Sequence, residues 1–104
     1  MRTVRETQPL DNALMIIGKK FDLQIIDSIN KNGDKARFNQ IKKDIPSINP
    51  RILSMRLKEL ERNKVIEKHL ILGTPVKTEY SLTKKATPLI DIIDKLKNWG
   101  KMIG

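Results

Sequence analysis

The stretch RFNQIKKDIPSINPRILSMRLKELERNKVIEK, residues 37–68, decides the fold. Phe38, Ile41 and Ile45 mark a short amphipathic helix that Pro46 stops. Ser47-Ile48 is a turn. Asn49 is a good N-cap and Pro50 a good first helical residue, so a longer helix runs from there to about Asn63. A short helix, a tight turn and a capped longer helix make a helix-turn-helix. At about 100° per residue, Leu53, Leu57 and Leu60 share one side of the longer helix. Arg51, Ser54, Met55, Lys58 and Arg62 share the opposite side, with Glu59 and Glu61 at its flanks. That face carries three cations and no carboxylate.

On the C-terminal side the period changes from helical to alternating. Val76, Thr78, Tyr80 and Leu82 alternate with Lys77, Glu79 and Ser81, a half-buried strand. Val65 to Leu72 is its partner, joined through Leu72-Gly73-Thr74-Pro75. A β-hairpin directly after a helix-turn-helix reads as a wing. Thr83 is the expected cap of a last helix with the stripe Leu89, Ile92, Ile93, Leu96 and Trp99, supported by the pair Asp91–Lys95. On the N-terminal side, Pro9 opens a helix with Leu10, Ala13, Leu14 and Ile17 on one face, stopped by Gly18. A second helix spans Phe21 to Ile29, with Asp27–Lys31 as an i, i+4 pair. Lys35-Ala36-Arg37 is short enough to pair as a single bridge.

The expected class is mainly α with a small β-hairpin (α+β), a winged helix-turn-helix of order α-α-β-α-α-β-β-α. A single domain is expected over 1–104, with the helix-turn-helix at about 38–63, the wing at about 64–83 and dimerisation helices at about 9–17 and 84–99.

Charge locates the working surface. The chain carries 21 Lys and Arg against 12 Asp and Glu. Residues 35–68 hold ten of those cations and only four of the carboxylates, so a polyanion is expected to dock there. With early residues of the longer helix at base edges and later cations near phosphates, Ser47, Asn49, Arg51, Ser54 and Met55 face the major groove. Arg51 suits a guanine O6/N7 edge and Met55 a thymine methyl. Lys58 and Arg62 meet the backbone. Lys68 and Lys77 serve the wing, near a minor groove, and Arg37 sits where phosphate or an acid near the wing is in reach. His69 reads as an exposed strand residue.

Other functions find little support. There is no cysteine and one histidine, which excludes disulfides, thiol chemistry and cysteine-held metals. No nucleophile–base–acid set, glycine-rich phosphate loop or metal-ligand spacing is present, so no enzyme, metal or cofactor is expected. No segment reads as a signal peptide or a membrane span. The early apolar run Leu14–Ile17 is far short of the roughly 20 residues a span needs. The function read from the residues is a sequence-specific DNA-binding regulator. The alternative is a general nucleic-acid-binding or chromatin-like packaging protein, which shares the charge without base readout.

The landmarks ALMIIGKKFDLQII at 13–26, the stretch at 37–68 and TPVKTEYSLT at 74–83 resemble the HxlR-type transcriptional regulators, a branch of the MarR-like winged helix proteins. Gly18-Lys19-Lys20, Arg37-Phe38, Ile45-Pro46, Leu53, Arg56-Leu57, Glu59-Leu60 and Tyr80-Ser81-Leu82-Thr83 carry the likeness over roughly residues 8–99. The resemblance implies a homodimer on a pseudo-palindromic operator, with the first and last helices at the interface. Leu10, Leu14, Leu89, Ile92, Ile93, Leu96 and Trp99 are the interface candidates, and this much apolar surface on a small chain favours a partner. The expected partners are double-stranded DNA, a second copy and a small-molecule effector between the dimerisation helices and the DNA-binding unit. No membrane is expected, and the expected place is the cytoplasm, on the nucleoid. Three positions depart from the pattern. Gln8 stands where many members carry a cysteine used for sensing, Phe21 where many have Trp, and Ala86 where Gly often follows the Leu-Thr pair.

Overall fold

Two prolines and two glycines mark most of the chain's boundaries, and the computed structural model, which describes residues 8–104, shows where each one acts. Pro9 opens α1 (Pro9–Ile17) and Gly18 closes it, its N–H donating to the Leu14 carbonyl. A Cβ at Gly18 would lie 2.2 Å from that same oxygen, so the close approach requires glycine. Gly33, at φ 77°, follows α2 (Asp22–Lys31) in the left-handed region. Pro50 opens α4 (Pro50–Arg62), where the Asn49 side chain accepts from the Ile52 N–H at 2.8 Å. α3 (Phe38–Asp44) precedes it. The hairpin is β1 (Ile66–Ile71) against β2 (Lys77–Leu82), antiparallel, with Ile66 opposite Leu82 and Ile71 opposite Lys77. Ala36 bridges to Tyr80 on the other side of β2, as the short Lys35-Ala36-Arg37 segment suggested. The order is the expected one, closing with α5 (Pro88–Ile103). The expectation for the first residues, that they form no signal peptide, falls for 1–7 outside the described residues.

The core joins Ile25, Ile26 and Ile29 of α2, Ile41 of α3 and Leu53, Leu57 and Leu60 of α4 to Ile66, Tyr80 and Leu82 of the hairpin and Ile93 of α5. One charged side chain lies among these residues. Asp22 is fully buried and takes the Arg56 Nε–H at 2.7 Å, a second Arg56 N–H at 3.1 Å and the Lys19 backbone N–H at 3.1 Å. A second polar tie runs from α2 to the end of α3. The Ser28 hydroxyl and the Asn32 amide donate to Asp44 at 2.7 and 2.9 Å, with Lys31 at 3.7 Å.

Five sequence expectations need correction. The last helix starts at Pro88 and runs to Ile103, not over 84–99. Thr83 does not cap it, because its hydroxyl turns back to the Lys64 and Val65 carbonyls at 2.6 and 3.2 Å. Pro88, lacking an N–H, sets the helix start instead. Asp27 pairs with Lys97 of α5 at 2.7 Å rather than with Lys31, which turns to Asp44. The second helix begins at Asp22, because Phe21 sits at φ 80°, outside helical geometry. Ile93, expected at a subunit interface, is 6% exposed and fills the protomer's own core.

Asp22→Ala is expected to lower the unfolding free energy by about 3–5 kcal/mol, since it strands Arg56 without its partner. Urea denaturation measures this, and a loss below about 1 kcal/mol would show that the pair contributes nothing. Hydrogen bonds from Ser28, then from Asn32, together with the Lys31 charge, hold the Asp44 carboxyl below its ordinary range against an opposing effect of burial. A carboxylate with a lowered folded pKa gives stability that is full above its unfolded pKa and lost as pH falls through the folded one. The melting temperature is therefore expected to drop faster below about pH 4 in the native chain than in Asp44→Asn. Parallel curves would remove Asp44 from that role.

Candidate nucleic-acid interface

Burying the Leu53–Leu57–Leu60 ridge dictates what α4 shows to solvent. Arg51, Met55, Lys58 and Arg62 are exposed and Ser54 is half-buried, all on the face expected from the wheel. Met55 keeps 54% of its surface in water with no apolar neighbour on that face, an unusual position for a large apolar side chain. Arg51 and Lys58 have no ion pair among the described residues. Arg62 holds Glu59 at 2.7 Å, with the arginine largely in solvent and the glutamate half-buried. A surface pair of this kind is worth about 0–1 kcal/mol, so it leaves Arg62 available to a stronger anion.

At the head of α4, Ser47 is exposed beside the turn. Asn49 is exposed too, but its side-chain oxygen is already engaged in the helix cap. What Asn49 offers an anion is its amide, while its fixed role is to set where α4 begins.

The wing adds a second cationic region. Lys35, Arg37, Asn39 and Gln40 at the start of α3 and Lys77, Thr78 and Glu79 of β2 line one open hollow of about 490 Å³. Arg37 and Lys77, read separately from the sequence, therefore lie on the same hollow. The Arg37 backbone N–H donates to Gln40 Oε1 at 2.8 Å, which fixes the helix start and leaves the guanidinium exposed. Asn39 and Gln40 are not singled out by the sequence reading, and Lys35 is read there only as part of the single-bridge segment. The signal for them was available: a single-bridge strand at Ala36 places its neighbours against β2. Lys68 is exposed on β1, opposite Tyr80. His69 is also exposed, with Nε2 2.8 Å from the Ser81 hydroxyl and 3.6 Å from Glu67.

Away from this surface, α1 and α5 leave apolar side chains uncovered. Leu10, Leu14, Ile92, Leu96 and Trp99 are all exposed, and Leu89 is half-buried against the core. Met15 on α1, and Met102 and Ile103 on the part of α5 that runs past Trp99, extend the apolar surface further than the sequence reading did. An open apolar groove of about 230 Å³ lies between α1, the wing root and the start of α5, lined by Ala13, Ile16, Ile17, Val65, Ala86 and Leu89 with Lys85 at its polar edge. No cluster of three metal-ligating side chains occurs among the described residues, and no described helix is long and apolar enough to cross a membrane.

Comparison with known proteins agrees with this geometry. The HxlR-like helix-turn-helix family pattern matches residues 16–104. The HTH-type transcriptional regulator YodB of Bacillus subtilis (strain 168) is 37% identical over 90 residues, 86% of this chain and 79% of that one. An uncharacterized HTH-type transcriptional regulator of Methanothermobacter thermautotrophicus is 39% identical over 88 residues, 85% of this chain and 66% of that one. Among solved structures, the redox regulator HypR in its oxidized form superposes with a TM-score of 0.81 at 32% identity, covering 91% and 96% of the two chains. A MarR-family regulator from Porphyromonas gingivalis W83 gives 0.83 at 28% identity, covering 97% of each. With its winged helix-turn-helix order and these relatives, the chain belongs to the HxlR-like helix-turn-helix family of transcriptional regulators.

Proposed function

We propose that the protein is a sequence-specific DNA-binding regulator that works as a homodimer on a pseudo-palindromic duplex site, with α4 in the major groove and the wing at the adjacent minor groove. The observation that carries this reading is the exposed face of α4, where Arg51, Ser54, Met55 and Lys58 stand together without a carboxylate. Arg51 and Met55 read base edges, and Lys58 and Arg62 meet phosphates. Arg37, Lys77 and Lys68 add phosphate contacts beside the helix-turn-helix, and Ser47 and Asn49 supply polar groups at the head of α4.

The uncovered faces of α1 and α5 support pairing of two copies through Leu10, Leu14, Ile92, Leu96 and Trp99, with Leu89 at the edge. A two-fold dimer presents two copies of α4 about 34 Å apart, one turn of duplex. The protein then acts on the nucleoid, in the cytoplasm, and needs no catalytic chemistry. The sequence reading puts an effector between the dimerisation helices and the DNA-binding unit, and the groove between α1 and the wing root is the place we assign to it. With no cysteine in the chain, its signal is not a disulfide switch.

Fluorescence anisotropy against the protein's own upstream DNA and a scrambled duplex, from 50 to 300 mM salt, tests the reading. A specific site is expected to bind at least about 10³-fold tighter than the scrambled one. Equal binding to both, and no enriched sequence from a random pool, would make the protein a packaging factor. Arg51→Ala is expected to cost about 1–3 kcal/mol on the specific site and relax its sequence preference, while Lys58→Ala lowers the salt slope by about one unit on any duplex. Leu96→Glu is expected to sediment as a monomer; a persistent dimer would move the interface off α5.

A further inference from the structure

The hairpin leaves the core almost at once. Of β1 only Ile66 is buried, and the strands continue into solvent. Residues 70–76, Leu-Ile-Leu-Gly-Thr-Pro-Val, carry no charge. Leu70, Ile71, Leu72 and Val76 are 63%, 43%, 85% and 56% exposed. Single exposed apolar residues are ordinary, but four on one hairpin end form a patch that adds nothing to the fold. Its setting is cationic. Lys77 stands opposite Ile71, and the hollow behind it holds Lys35 and Arg37. Of the hairpin's carboxylates, Glu67 sits towards the root opposite Ser81, while Glu79 lines the same hollow and stands opposite His69, one position nearer the tip than Lys68.

We propose that the wing tip is an apolar reader of the DNA minor groove, selecting A·T-rich flanks through Leu72 and its neighbours. The inference rests on the DNA-binding reading above and deepens it. A minor groove has apolar sugar walls and phosphate rims, which matches a narrow apolar tip with cations at its base. The groove floor of a G·C pair adds the guanine N2 amino group, a donor that an apolar tip leaves unsatisfied. An A·T pair has no such group. Apolar side chains used this way also open base steps and bend the duplex. Lys68 and Lys77 hold the rims, while discrimination comes from the uncharged end.

The test separates groove chemistry from base identity. The full chain selects its duplex from a random pool, and the flanking pairs are then replaced by G·C or by inosine·C. Inosine·C keeps the major-groove acceptors of guanine and lacks the N2 amino group. The native protein is expected to bind A·T and inosine·C flanks alike and G·C flanks about tenfold more weakly. Leu72→Ser/Val76→Ser, which alters only exposed residues, is expected to lose that difference, with the same salt slope and the same melting temperature. Equal native binding to G·C and inosine·C flanks would overturn the proposal, as would a double variant that keeps the native preference. A variant that loses its dimer instead would show the tip to be a contact between copies. Specific binding without flank dependence defeats the wing assignment alone; absence of any specific binding defeats the functional reading and the wing assignment together.

Discussion

The fully buried Asp22 carboxylate ties together three parts of the chain that must keep a fixed relation. It sits at the first turn of α2, takes the Lys19 N–H from the link to α1, and receives two N–H groups of Arg56 from α4. A carboxylate without water is tolerable only with donors of this number and quality. Around it, the leucine ridge of α4 closes on the isoleucines of α2. The angle of α4 is therefore set from inside by a charge pair as well as by apolar packing. Apolar side chains can slide past one another; a bidentate arginine has one good geometry.

This arrangement explains how one helix serves both core and interface. Arg56 carries a charge but is absent from the outward face, because it lies about 60° from Leu53 at 100° per residue, on the buried side. Arg51, Met55, Lys58 and Arg62 lie on the opposite side, where the Asp22 pair holds them outward. The cluster of Asp44, Ser28 and Asn32 does for α3 what Asp22 does for α4, joining the end of the shorter helix to α2. The two helices of the motif are thus each fastened to the same support by a polar contact.

Much of this was legible in the sequence, for identifiable reasons. The boundaries of α1 and α4 follow from proline, glycine and asparagine chemistry that acts within a few residues. The hairpin follows from alternation, and the bridge at Ala36 from a gap too short for a longer strand. The partner of Asp22 was not legible as such, since nothing local links it to Arg56 across 34 positions. The wheel nonetheless places Arg56 among leucines, and a cation there needs a buried acid. The start of α5 differs from the expectation because Thr83 is a good cap by residue type, while the helix is set by Pro88 with no side-chain cap. The Thr83 hydroxyl is taken by the wing root, a contact only the folded chain creates. Ile93 lies on the same stripe as Leu96, and the stripe does not say how far the core reaches. In the nucleic-acid surface, the face of α4 was readable from one helix. The hollow joining Arg37 to Lys77 depends on strand placement and was not.

The far end of α5 has a consequence for the amount of protein a cell holds. Past Ile93 the helix continues for ten residues, none of them buried, with Lys97 tied back to Asp27 on the surface. Ten residues make about 15 Å of helix, a length that is marginal in water when alone. Here it continues a helix whose first turns pack on the core, and a partner laid on it would add to its order. If that partner is a second copy, order and association rise together with abundance by mass action. A newly made chain at low abundance would then have a finished helix-turn-helix and an unfinished end, and its maturation would register how many copies are already present.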